Sequence, residues 1–301
     1  MKRFFALLLV GMLALAAIPA LADAPRFDVD AYPQVDGSTA TLPLSYALMA
    51  ELTGISEEEA MQIVRHQRTT QSFYWMIDNY SELLLVYEPA PVVFEYAKDV
   101  GVEFLMKPIG RDALVFLVND ENAVPSLTHE QIVGIYTDDI TNWMEVGGED
   151  LPIIAYQRGS DSGSQVMMEN QVMDGIEMAQ APIDRMPSEM SELIDVIAAY
   201  RDAPNAIGYS VYFYVQNMYM QENVRLMPVG GVLPSNETIA SDEYPYTQDF
   251  YAVIRADAPE GSPQRVIFDW LGTAESEEVF LKAGYVPIIG GEVVSMGAGS
   301  E

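Results

Sequence analysis

Leu151-Pro152-Ile153-Ile154-Ala155-Tyr156-Gln157-Arg158-Gly159-Ser160-Asp161-Ser162-Gly163-Ser164-Gln165 joins an apolar run to a loop of small residues. The run from Leu151 to Tyr156 reads as a short buried strand bounded by turn residues. From Gln165 to Met173 apolar residues recur at helical spacing, so the order is strand, loop, helix. A serine- and glycine-rich loop at a helix start aims free backbone N–H groups, hydroxyl donors and the positive end of the helix dipole at one point. Arg158 adds a planar guanidinium whose paired donors match two oxygens of a tetrahedral oxyanion. The same residues also fit a plainer role, in which Ser160 or Ser162 caps the helix and Arg158 sits in solvent.

Outward from this loop, composition narrows the class. Met1-Lys2-Arg3, the apolar run from Phe4 to Ala20 and the small residues Ala20-Leu21-Ala22 have the three parts of a secretory signal peptide over 1–22. A second cleavage point follows Ala24, so the mature chain is expected to begin at Asp23 or Pro25 in a periplasmic or extracellular space. There is no cysteine, which leaves no disulfide, no thiol-held metal and no lipid-bearing N-terminal cysteine. The formal charge of −30 becomes −32 once Lys2 and Arg3 leave. Such acidity argues against nucleic acid and anionic membranes as partners. It does not argue against an anionic ligand, whose site is governed by local donors and dipoles. Half the residues are apolar, so the chain is globular, and the roughly 278 residues left after cleavage exceed one core and indicate two domains.

Two more polar loops precede helical or apolar stretches. Asp36-Gly37-Ser38-Thr39-Ala40-Thr41 leads, with Pro43 in the first turn, into a helix closed by Thr53-Gly54. Ser56 and Glu59 form a capping box for the next helix. Arg65-His66-Gln67-Arg68-Thr69-Thr70-Gln71-Ser72 is followed by Phe73–Ile77, which periodicity leaves open between helix and strand. Leu83–Tyr87 is a buried strand ended by Glu88-Pro89, and a carboxylate just past such a strand lies where α/β sheets bind ligands. Glu88 reads equally as a solvated loop residue. Val92–Val100 is helical, Val102–Met106 and Asp112–Asn119 read as two strands, and the domain changes at the second. Thr128 caps a helix over the following residues. Ser188–Tyr200, Pro263–Leu271 and Ser276–Ala283 are helices; Val224–Val229 and Tyr246–Arg255 are strands. The alternation indicates an α/β architecture.

These loops carry a resemblance. Arg158 with Ser162-Gly163-Ser164 resembles the Arg-x-x-x-Ser-Gly-Thr loop of the phosphate-binding proteins of ABC transporters, with Ser164 in place of Thr. Asp36–Thr41 with Pro43 resembles that family's first Gly-Ser-Thr loop. Leu127-Thr128, Glu130-Gln131-Ile132, Ile140-Thr141-Asn142-Trp143 and Val146-Gly147-Gly148 follow in the family's order, as do Ala206–Tyr209 and Ala283–Pro287. The resemblance implies a two-domain α/β fold of the type II periplasmic-binding-protein kind, with ligand in the interdomain cleft. One domain would comprise 26–111 with 246–301, the other 112–245. Carried over, the phosphate donors are Ser38, Thr39 and Thr41 from the first loop and Thr70 with Thr69 or Gln71 from the second. Arg158, Ser162, the Gly163 N–H and Ser164 follow from the third. Glu88 would accept the proton of the phosphate, and an ungapped alignment puts Tyr87 there instead. Arg68 would add a second cation.

The implied function is capture of inorganic phosphate or a similar oxyanion by an exported monomer, for delivery to ABC transporter permease subunits, without catalysis, metal or cofactor. The alternative is a secreted receptor or sensor for another oxyanion or small solute, uncoupled from transport. A serine hydrolase would need a base beside its nucleophile. The two histidines, His66 and His129, are far apart and read as surface residues, and no carboxylate pair stands out for glycoside chemistry.

Overall fold

A computed structural model describes residues 24–199 and 204–298. The expected leader over 1–22, the residue Asp23 and the end of the expected 188–200 helix lie outside the described residues. Among the described residues nine strands run in chain order: β1 (Val35–Gly37), β2 (Leu83–Val86), β3 (Glu103–Asn119), β4 (Ile154–Ala155), β5 (Ala206–Val211), β6 (Val224–Met227), β7 (Thr247–Arg255), β8 (Val286–Pro287) and β9 (Val294–Gly297). The α-helices are α1 (Leu42–Thr53), α2 (Glu57–Ile63), α3 (Thr69–Ile77), α4 (Val92–Asp99), α5 (His129–Tyr136), α6 (Gly163–Met167), α7 (Met190–Ala198), α8 (Asn236–Ala240), α9 (Pro263–Trp270) and α10 (Glu277–Lys282).

The architecture hangs on β3. Its 17 residues span roughly 55 Å when extended. From Phe104 to Ala113 it pairs antiparallel with β7, and from Leu114 to Val118 it pairs antiparallel with β5. The sheet therefore runs β1-β2-β7-β3-β5-β4, with β6, β8 and β9 also on β3. The sequence reads as two strands here because Pro108 and Gly110 interrupt the apolar pattern. The chain instead keeps one strand and absorbs the interruption in a register shift between Pro108 and Gly110. A proline lacks the N–H that a ladder needs, and a bulge is where a strand tolerates it.

Burial explains the other strands. Leu83-Leu84-Leu85-Val86 is wholly buried, with Leu83 and Leu85 in the large core and Leu84 and Val86 in a smaller one with Phe73, Phe104 and Val253. Alternate side chains of a strand point to opposite faces, so a strand covered on both reads as an unbroken apolar run. The Leu151–Tyr156 run yields less strand than its composition predicts. Only Ile154–Ala155 pair regularly, parallel to β5, because Ile153 gives its N–H to Thr141 O and Pro152 has none to give.

Helix signals hold where they are local. The Ser56–Glu59 and Thr128–Gln131 boxes are both formed, and Gly54 ends α1 in the left-handed region. Phe73–Ile77 belongs to a helix that begins earlier, at Thr69. The helix expected over Gln165–Met173 is a short α6 continued by a π-helical turn over Met168–Met173. Among the described residues no helix is long and apolar enough to cross a membrane.

At Gly110 a Cβ would stand 2.2 Å from the Phe250 ring, which is fully buried. Gly110→Ala is therefore expected to destabilise the fold by about 1–3 kcal/mol through overpacking, read as a lower urea midpoint with unchanged slope.

Candidate functional site

Three chain segments converge on one small polar cleft. The first leaves β1 at Ser38, whose N–H donates to Leu85 O at 3.1 Å. Its hydroxyl accepts from Tyr87 N–H at 3.2 Å and shares a proton with Thr69 Oγ1 at 2.8 Å. Beneath it, Thr41 Oγ1 hydrogen-bonds Leu85 O at 2.5 Å and Ser38 O at 2.9 Å. His66 Nδ1 donates to Ser38 O at 2.7 Å, which leaves Nε2 to accept from Ser45 Oγ at 3.0 Å. His66 is thus no surface residue but a half-buried brace of this loop. Burial pushes its pKa down to about 4, against a smaller opposing effect of the Ser38 carbonyl.

The second segment enters α3. Asp36 gathers the N–H groups of Gly37 and Gln67 at 2.7 and 2.6 Å and so aims the chain toward Arg68. Arg68 adopts φ 73°, a left-handed conformation uncommon outside glycine, and caps the helix. Because α3 starts at Thr69, successive residues rotate away from the cleft. Thr69 lines it; Gln71, two positions on, is exposed. Thr70 is off the lining, with its buried Oγ1 unpartnered.

The third segment is the loop quoted above. Arg158 N–H donates to Gln165 Oε1 at 3.1 Å and Tyr209 Oη at 3.2 Å, which pins the loop's start. The Arg158 side chain is 5% exposed. Its Nη2 donates to Ser188 O at 2.9 Å, whereas Nε and Nη1 have no partner. Burial disfavours the guanidinium charge, with Glu189 chief among the groups that offset it. Arginine stays protonated regardless, so the charge stands there under-compensated. Ser162 and Ser164 hydroxyls lie 3.0 Å apart. Gly163 is required by close approach: a Cβ there would meet Thr69 Oγ1 at 2.6 Å.

Of the expected residues, Ser38, Thr39, Arg68, Thr69, Arg158, Ser162, Gly163 and Ser164 line this cleft, whose volume is ≈ 20 Å³. Thr41, Thr70, Gln71 and Glu88 do not. Thr41 spends its hydroxyl on backbone carbonyls, and Glu88 turns toward β7. There Gln248 hydrogen-bonds its carboxyl, and burial raises its pKa. Tyr87 takes the place at the strand end, with its Oη donating to Asp112 Oδ2 at 2.7 Å. Asp161, Glu189, Met190 and Val211 also line the cleft, beyond the expected set. Across it Arg68 and Glu189 pair at 3.6 Å, each about half exposed. Asp161 was visible within the loop itself. Glu189, Met190 and Val211 arrive only through tertiary folding, and no local pattern marks them.

A family model for the PBP superfamily domain matches residues 94–267. The chain belongs to the PBP superfamily. It is 26% identical over 172 residues to the phosphate-binding protein PstS of Bacillus subtilis, covering 57% of this chain and 53% of that one. It is 26% identical over 181 residues to PstS of Borreliella burgdorferi, covering 59% and 63%. The matches thus span between half and two thirds of these curated relatives. Among solved structures, a substrate-binding protein from Clostridium perfringens with bound phosphate superposes at a TM-score of 0.64. That match has 21% identity and covers 84% of this chain and 98% of the other. An ABC-type phosphate transport receptor from Vibrio cholerae gives 0.62 at 19% identity, covering 84% and 98%. The fold is the α/β type II periplasmic-binding-protein fold expected for this superfamily.

His66 carries a pH expectation. A histidine that resists protonation in the fold lets the unfolded chain bind the proton first, so stability is lost as pH falls from the free value near 6.5 through about 4. Urea midpoints should drop over that window. His66→Gln should remove that part of the drop, and the His66 ring should titrate near pH 4 by NMR.

Proposed function

We propose that this chain captures inorganic phosphate between two α/β domains and delivers it to the permease subunits of an ABC transporter, as an exported monomer without a lipid anchor. The observation that carries the reading is Arg158. It is a buried guanidinium with no ion-pair partner within salt-bridge distance among the described residues, and two of its three nitrogens, Nε and Nη1, are unmatched. A charge removed from water costs several kcal/mol unless paired, so the site is built for a compact anion. Ser38, Thr39, Thr69, Ser162 and Ser164 surround it with hydroxyls, and Gly163 and Thr69 add main-chain N–H groups. The names of the curated relatives support phosphate as that anion.

The domain division follows β3. The division between 26–111 with 246–301 and 112–245 falls just before β3 changes partner, which it does between Ala113 and Leu114. Binding without catalysis accounts for the position of Ser45 and His66. Their hydrogen bond resembles a nucleophile and its base, but Ser45 is buried within α1 and lies off the cleft.

Calorimetry of the mature chain against phosphate, sulfate, arsenate and molybdate tests the reading. Phosphate should bind, and Arg158→Ala should weaken it by roughly 2–5 kcal/mol, the range for truncating one side of a buried charge pair. The circular dichroism spectrum should stay the same. Near-unchanged affinity in the variant would reduce the loop to a helix cap, and binding of a different anion would reassign the ligand.

A further inference from the structure

The strand-end position where a carboxylate is expected holds a tyrosine, and its hydroxyl is not free to rotate. Tyr87 Oη has one proton and gives it to Asp112 Oδ2 at 2.7 Å. Asp112 lies where β3 changes partners and is held from two further directions: its Oδ1 accepts Ala113 N–H at 2.7 Å and Phe213 N–H at 3.1 Å. With its proton committed, the Tyr87 oxygen has only lone pairs left. Phosphate at neutral pH carries a proton to donate and sulfate carries none.

We propose that Tyr87 is a specificity-determining residue of the cleft, and that Asp112, without touching the anion, sets whether the Tyr87 hydroxyl accepts from the ligand or donates to it. The proposal rests on the oxyanion reading of the cleft. With Asp112 ionised, Tyr87 accepts and favours a protonated anion. When Asp112 gains a proton it adds at Oδ2, since Oδ1 holds the shorter N–H bonds and Phe213 N–H reaches Oδ2 only at 3.4 Å. That acid proton goes to Tyr87 Oη, and the tyrosine O–H turns to the cleft as a donor. A donor suits sulfate.

The surroundings place this change within reach of neutral pH. The titratable groups facing Asp112 are Tyr87 from the end of β2, Tyr212 after β5 and Tyr285 after α10. Its chain neighbour Arg111 is directed to Asp242 and Asp249 instead. Burial, with no cation facing it among the described residues, pushes Asp112 up to about 7, against the smaller opposing effects of Tyr87 and the two N–H groups. Tyr87 is raised well above its usual range by the same burial and by Asp112, so it remains the protonated partner.

Sulfate has no proton equilibrium near neutrality, so its affinity reports the protein alone. Calorimetry with sulfate and phosphate at about pH 8 and about pH 6 should show sulfate binding strengthen on acidification in the wild type. Asp112→Asn puts a permanent N–H donor opposite Tyr87 Oη. It should bind sulfate roughly ten-fold better at the higher pH, the size of one reversed buried hydrogen bond, and lose the wild-type pH response. Tyr87→Phe should lower the phosphate-to-sulfate ratio and also lose that response. If both variants keep the wild-type ratio within about two-fold at both pH values, the inference is overturned. Should Asp112→Asn fail to fold, Tyr87→Phe and the wild-type sulfate profile decide alone. A wild type that binds neither anion overturns the phosphate reading itself, and the two failures are thereby distinct.

Discussion

A guanidinium taken out of water must find an opposite charge or a full set of acceptors, and Arg158 has one backbone carbonyl. That imbalance organises the surrounding structure. Its backbone N–H is fixed by Gln165 and Tyr209, its side chain by Ser188, and its loop continues directly into α6. Hydroxyls from three segments face the same space, and Glu189 at the mouth supplies partial compensation from a half-exposed position. The chain's overall charge of −30 opposes the approach of an anion from a distance. Inside the cleft the nearest donors decide, because screening by water is weakest there.

The fold brings these segments together through one strand. β3 serves both stretches of the sheet, and β4 joins it through β5, so the loops at the ends of β1, β2 and β4 open onto the same crevice. Such a crevice beyond strand ends is where open α/β sheets bind ligands. The walls touch at Gly163 and Thr69, where even a methyl group would not fit, and an ion pair joins Arg68 to Glu189 beside that contact. Opposing loops held this closely let one bound ion be contacted from both sides.

What could be read from the sequence was what chemistry makes local. Hydroxyl-rich loops before helices, the capping boxes at Ser56 and Thr128, and Arg158 with Ser162–Ser164 all follow from short-range rules, and all are present. Where side-chain direction depended on a helix boundary, the sequence left Thr69, Thr70 and Gln71 open. Placing the start of α3 at Thr69 turns Gln71 outward and brings Thr69 in. Tyr87 and Glu88 are adjacent, and only the tertiary fold separates them: Tyr87 lines the cleft while Glu88 meets Gln248 on β7. β3 was broken in two by Pro108 and Gly110, whose bulge no periodicity can anticipate. His66 gave no pattern at all; its role depends on Ser38 and Ser45, far off in sequence.

If the unmatched Arg158 N–H groups hold the ligand, NMR observes one of them directly. In an isotope-labelled chain, the Nε–H resonance of Arg158, assigned by its loss in Arg158→Lys, should move downfield and exchange more slowly with solvent on adding phosphate. Phosphate that binds while this resonance keeps its position and exchange rate would contradict the account.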